Sequence, residues 1–283
     1  MSNLKDKNIL IVGLGMIGGS YAMGLNDKGI TPYGFDLNLV TMEYAISNGI
    51  IKNEMCVDKM ISESDLIVLC LYPHLTINWI KENQHKLKAG TIITDVTGVK
   101  KHVNDEISKF LRYDVEFVSA HPMAGREVPG IKGADPEVFK SANFIIVPLE
   151  NNKKESIDLV YELAEALEFK NIEILDADRH DELISYLSQL THIIAISLMN
   201  TKDSEHMVRF TGDSFRDLTR IAKINEVLWS ELFLINKDKL INDIDMFQNE
   251  LESFKNLLEN DDLSGMKEKM KSSTARRKLF DKK

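Results

Sequence analysis

Cysteine is scarce in this chain. Two among 283 residues, Cys56 and Cys70, make no disulfide framework, and no Cys/His set has zinc spacing. Cys70 lies in an apolar run and reads as a small core residue, while Cys56 stands alone. Basic charge is also short. The 35 Lys and Arg face 44 Asp and Glu, and a net charge of −9 argues against a general nucleic-acid binder, which needs a basic face to neutralise phosphates. The basic residues that do cluster, in 267–283, read as a solvated helical tail. No run of about 18 apolar residues stands out to span a bilayer. The polar start, 1–7, leads straight into a strand and has no signal-peptide form. Internal repeats and low-complexity linkers are absent too. These absences leave a cytoplasmic protein with no metal site and no membrane or nucleic-acid partner, long enough for two domains that each bury a core.

What the sequence does contain is a strand–helix rhythm. Residues 8–12 (NILIV) form a short, continuous apolar run of the kind buried on both faces of a parallel sheet. Gly13-Leu14-Gly15-Met16-Ile17-Gly18 comes directly after it, then a helical stretch to about Lys28 and a second strand, 33–35, ending in Asp36. Strand before, helix after and an acid about 20 residues on make this GxGxxG a dinucleotide fingerprint. Gly13 permits the turn, Gly15 lets backbone approach a pyrophosphate, and Gly18 lets helix and strand pack. The helix N-terminus offers N–H groups to phosphate, and Asp36 suits ribose hydroxyls while repelling a 2′-phosphate, which favours NAD over NADP. Further strands are expected at 65–72, 91–95, 115–118, 144–148 and 172–175, with helices between. The fold class is therefore α/β: a Rossmann-type nucleotide-binding domain over 1–176, followed by an all-α domain over 177–283. Ligands bind beyond the carboxyl ends of such strands, where Tyr72-Pro73, Asp95 to Lys100 and the stretch after Val118 all fall.

That last stretch, Ser119 to Glu127, carries His121-Pro122. Pro122 has no N–H and holds His121 extended, and Ala124 and Gly125 leave room for an approaching molecule. A histidine just past a strand end is placed either as a catalytic base or as a hydrogen-bonded structural residue. From Ala177 the rhythm stops. Asp178 is expected to cap a helix that runs through Asn200, apolar on nearly every side, with Gln189 and His192 sharing a face. Arg216 and Arg220, one helical turn apart, either grip substrate carboxylates or, with Asp217, make a surface pair. His192 and Trp229 are open in the same way between core and ligand contact.

Together these motifs resemble the prephenate/arogenate dehydrogenase family over almost the whole length. GLGMIGGS (13–20), DVTGVK (95–100), HPMAGRE (121–127), HDELISYLSQLTH (180–192) and FRDLTRIA (215–222) with Leu228-Trp229 stand in the family's order. The resemblance implies oxidative decarboxylation of prephenate to 4-hydroxyphenylpyruvate with NAD+ as hydride acceptor, in tyrosine biosynthesis; arogenate is the alternative substrate. It implies His121 as the base toward the ring hydroxyl and Arg220 as the carboxylate ligand, with Gln189 and His192 near the substrate's side-chain end. It also implies a gate of Glu127 and Arg216, and a homodimer through the helical half in which Trp229 reaches the pocket. The cofactor contacts expected are Gly13 to Gly18, Asp36, Tyr72, Pro73 and Asp95. The chain departs from the pattern where the family often has Gly-Ser and this sequence has Thr97-Gly98, so Thr97 is the candidate for the missing serine's catalytic role. Gln189 stands for a histidine, Thr191 for a proline and Arg126 for a small polar residue. A 3-hydroxyacid-type dehydrogenase, which relies on a lysine in its helical half, leaves HPMAG unexplained. A non-enzymatic cofactor sensor would need a damaged site.

Overall fold

Short apolar runs become the strands of one seven-stranded sheet in the computed structural model, which describes residues 4–52, 55–125, 128–203 and 205–281. The strands are β1 (Ile9–Val12), β2 (Tyr33–Phe35), β3 (Leu66–Leu69), β4 (Ile92–Asp95), β5 (Glu116–Pro122), β6 (Asn143–Pro148) and β7 (Asn171–Ile174). Their order is β2-β1-β3-β4-β5-β6-β7, parallel at each pairing but the antiparallel β5–β6 pair. Every residue of β1 and β3 is buried, because helices cover both faces. Alternate residues serve opposite faces: Ile9 and Ile11 join one core cluster, Leu10 and Val12 the other. The covering helices are α1 (Met16–Asp27), α2 (Leu39–Ser47), α3 (Val57–Glu63), α4 (Pro73–Asn83), α5 (Lys101–Ser108) and α6 (Lys154–Ala166). The α/β architecture read from the sequence is the one observed.

Two local expectations change. His121 was placed beyond a strand end, but β5 continues through Pro122, with His121 opposite Ile145 and Pro122 opposite Phe144. Pairing of β4 with β5 stops at Phe117, so past it β5 has β6 on one side only and a proline is tolerated. The second change concerns the long helix. α7 (Ala177–Ile184), a π-helical turn (Ser185–Gln189) and α8 (Leu190–Asn200) form one 24-residue helix. Its N-cap is Asp176, which accepts from the Arg179 N–H at 2.9 Å, rather than Asp178. By length and composition this helix is apolar enough to cross a membrane, although no such run was expected from the sequence. Interspersed serines, Gln189 and His192 hide it, since no charge interrupts 183–200.

α9 (Asp213–Thr219), a 3-10 turn (Arg220–Ala222) and α10 (Glu226–Ile235) complete the first compact unit, which ends at Asn236. The second unit, from Lys237, is a helical pair, α11 (Lys237–Glu259) and α12 (Leu263–Arg277). Asp262 caps α12 by accepting from the Gly265 N–H at 2.9 Å, and Lys269 bonds Glu250 at 2.6 Å across the pair. The basic stretch of the sequence thus lies largely on α12.

Candidate active site

Sheet topology brings the sequence motifs to one edge. The order reverses direction at β1, where the connection to β2 leaves one way and β3 lies on the other side, and that is where a doubly wound sheet opens a crevice. At the end of β1, Gly13 adopts φ 88°, and a Cβ there would stand 2.5 Å from the Cys70 carbonyl oxygen. A Cβ on Gly18 would run into the Gly13 carbonyl, so this residue must be glycine for α1 to pack on the strand. Gly15 differs: a Cβ on it meets nothing within 4 Å. Gly15 is also the N-cap of α1 and has no side chain to cap the first turn, so the helix presents its N–H groups to that open space. This is a cradle shaped for a phosphate. Asp36, after β2, is aimed by two backbone donors, Leu14 N–H on Oδ2 and Asn38 N–H on Oδ1, each at 2.8 Å. Beyond β3, Pro73 opens α4. Tyr72 OH accepts from Asn225 at 2.8 Å, and Glu231 of α10 accepts from the His74 N–H while its other oxygen lies 2.7 Å from His74 Nδ1.

Between β4 and β5 the sheet splays, and two charged side chains fill the gap. Asp95 is 1% exposed; its Oδ1 accepts from Ser119 Oγ at 2.8 Å and the Ala120 N–H at 3.0 Å. Its Oδ2 accepts from Lys100 Nζ at 2.8 Å, from the Thr97 N–H at 3.1 Å and from the Thr97 hydroxyl. Lys100 Nζ, fully buried, also donates to the Ala120 carbonyl. These side chains therefore satisfy the ladder groups of β5 that β4 has left. Burial pushes the Lys100 ammonium below the ordinary lysine range, with Asp95 pulling it back up. Asp95 was expected as a cofactor contact and Thr97 as a catalytic hydroxyl. The Asp95 carboxylate is bonded on both oxygens inside the protein. Thr97 Oγ1, bonded to Asp95, Val99 O and Lys100, offers no hydroxyl to His121. The residue beside His121 is Gly98, whose Cβ would lie 3.9 Å from His121 Nε2.

His121 is half-buried and its Nδ1 lies 2.9 Å from His180 Nε2. His180, 0% exposed, in turn places Nδ1 2.8 Å from Asp181 Oδ1. Asp181 Oδ1 and Oδ2 also accept from the Lys100 and Lys101 N–H groups at 2.8 and 2.9 Å, so this α7 side chain caps α5. Burial, reinforced by the Lys100 ammonium and by the cost of placing a second imidazolium against His180, holds His121 well below the ordinary histidine range. His180 is lowered too, chiefly by burial, with the Asp181 bond opposing. Neither His180 nor Asp181 was expected at the site. Neighbours one residue apart on a helix seldom bond each other, so spacing does not single out the pair. Its signal in the sequence was that it opens the HDELISYLSQLTH motif.

The helical segment distributes the remaining candidates. Gln189 is 1% exposed; it donates to Leu232 O at 3.0 Å and accepts from Asn236 Nδ2 at 2.9 Å. Its amide, expected as a substrate contact, ties helices together. The π-helical turn inserts an extra residue and rotates the rest of the helix by roughly 100° from a regular one, so Gln189 and His192 turn together relative to Asp181. His192 donates from Nδ1 to Ser188 O at 2.8 Å and stacks on Trp229, ring centroids 3.7 Å apart. Arg216 bonds Asp213 at 2.5 Å and Thr211 O at 2.9 Å, a local arrangement. α9 ends at Thr219, and Arg220, its C-cap in helical conformation, opens the 3-10 turn. Arg220 is exposed. Glu127 and Arg126 lie outside the described residues.

A family model for the nucleotide-binding domain of prephenate dehydrogenase matches residues 22–173, and one for its dimerization domain matches 176–272. The chain belongs to the prephenate dehydrogenase family. A prephenate dehydrogenase of Bacillus subtilis is 30% identical over 94% of this chain and 74% of its own length. One from Lactococcus lactis is 33% identical over 87% and 70%. Among solved structures, a prephenate dehydrogenase from Aquifex aeolicus, in complex with hydroxyphenyl propionate and NAD+, superposes with a TM-score of 0.87 at 26% identity, covering 97% of this chain and 98% of that one.

Proposed function

We propose that this chain catalyses the oxidative decarboxylation of prephenate to 4-hydroxyphenylpyruvate with NAD+ as hydride acceptor. The observation that carries the reading is the position of His121, an uncharged imidazole at the strand edge that also bears the phosphate cradle. The cradle fits the cofactor: open space over Gly15, the uncapped α1 N-terminus for the pyrophosphate and Asp36 for the ribose. When bound there, NAD+ supplies the hydride acceptor. His121 takes the proton of the ring 4-hydroxyl, and loss of the ring carboxylate with aromatisation drives the reaction, so the protein contributes orientation and a placed base. Arg220 binds a substrate carboxylate bidentately, and His192, braced on Trp229, contacts the side-chain end. The functional boundary falls near residue 176, ahead of the helix that carries His180 and His192.

In cells the protein acts in the cytoplasm as a homodimer. Only 28% of the apolar window in helix Ala177–Asn200 is buried within the chain, and Leu187, Phe210, Leu218, Val227 and Leu234 are exposed, which suits a second copy. The test is NADH formation with prephenate and with arogenate, each against NAD+ and NADP+. Prephenate with NAD+ should turn over fastest; no NADH from either substrate would overturn the reading. Because His121 works as the neutral base and its proton affinity is depressed, kcat/KM should stay level as pH falls through about 6.5 and decline only further into acid.

A further inference from the structure

We propose that His180, oriented by Asp181, is a positioning residue that fixes the tautomer of His121 and directs its Nε2 lone pair at the substrate. The inference deepens the proposed function and rests on His121 being the base of that reaction. Its basis is the number of protons along one line of contacts. The Asp181 carboxylate has only lone pairs to offer, and three N–H groups converge on it: Lys100 N, Lys101 N and His180 Nδ1. His180 Nδ1 therefore carries a proton. The opposite tautomer would set a ring lone pair 2.8 Å from a carboxylate oxygen. Buried as it is beside Lys100, His180 stays uncharged, so its Nε2 is an acceptor. His121 Nδ1, 2.9 Å from that acceptor, must then be the donor. A neutral imidazole has one proton, and with it on Nδ1 the lone pair lies on Nε2. That nitrogen faces the space beside Gly98.

The arrangement does more than select a tautomer. When Nε2 takes up the substrate's proton, the Nδ1–H···Nε2 bond to His180 remains in place, with Asp181 behind it to stabilise the imidazolium. The groups facing His121 are His180 and Asp181 from α7, Lys100 at the start of α5, and Asp95 of β4 through Lys100. In place of a serine hydroxyl at residue 98, this chain has glycine, so orientation comes from the Nδ1 side.

The direct test is the ¹⁵N spectrum of selectively labelled histidine in the NAD+-loaded protein, assigned through a His121→Asn control. His121 should show a protonated Nδ1 and a bare Nε2; the reverse would overturn the proposal without touching the assignment of function. Kinetics give the second reading. His180→Leu removes the acceptor and should lower kcat by about 10- to 100-fold, with KM for prephenate and NAD+ within about twofold of the parent. His180→Gln restores an acceptor at similar reach and should recover most of that loss. Equal kcat in parent and Leu variant, or Leu and Gln variants equally impaired with unchanged KM, would contradict the positioning role. Should the Leu variant not fold, the ¹⁵N result on the unmodified protein decides. An absence of turnover in the parent itself would instead count against the proposed reaction.

Discussion

The strand edge and the helical segment after it solve the placement of polar groups differently. At the edge, Asp95, Lys100, His180 and Asp181 are buried, and each makes two or more bonds, so geometry there is fixed from several directions. In 205–222, Arg216 is exposed in a local ion pair, Arg220 is exposed on a 3-10 turn, and Phe210 is 86% exposed. A base must be placed to a fraction of an ångström and in one tautomer, which burial and multiple bonds provide. An arginine that grips a carboxylate has a long side chain and a planar fork, so it tolerates a looser mount. On the proposed function, the difference between the regions is a division between chemistry and capture.

If that division holds, the largest effect should come from the edge. His121→Asn should lower kcat by about 100- to 10,000-fold while leaving NAD+ affinity nearly unchanged, as measured by steady-state kinetics and calorimetry. Next comes Lys100→Met, which leaves the Asp95 carboxylate buried without its cation. It should cost about 3–5 kcal/mol in urea unfolding, and a negligible change would mean that the splayed strands do not depend on the pair. In the helical segment, Arg220→Ala should raise KM for prephenate by about 10- to 100-fold with kcat affected less; an unaltered KM would make the arginine structural. The smallest change is Gly15→Ala. The fold has room for the methyl group, so stability should hold, while KM for NAD+ rises by about tenfold because backbone can no longer approach the pyrophosphate. Gly18→Ala should do the opposite and damage folding first, since its Cβ collides with the Gly13 carbonyl.

The same division explains what could be read from the sequence. Buried parallel strands advertise themselves as apolar runs, and the GxGxxG turn, Asp36 and the HPMAG stretch reflect steric needs that only a few residues meet. The α/β order and the crevice at the strand ends were legible for that reason. Bonds between distant side chains were not. Lys100 stood in the DVTGVK motif at a strand end, but nothing local shows that its ammonium is buried where β4 and β5 part and leave backbone groups to satisfy. Asp181 caps a helix about 80 residues upstream, which no local pattern encodes. Gln189 bonds Leu232 and Asn236, far along the chain, which a local 3.6-residue count does not show.

The central claim is that His121 from the strand edge and Arg220 from the helical segment hold opposite ends of one molecule. It is tested by calorimetric affinities, with NAD+ present, for two ligands that differ only in the ring hydroxyl: 4-hydroxyphenylpropionate and 3-phenylpropionate. The parent protein should prefer the hydroxylated ligand; His121→Ala should abolish the preference, and Arg220→Ala should weaken both ligands while keeping it. A preference that survives the loss of His121, or binding of both ligands that is indifferent to Arg220, would contradict the account.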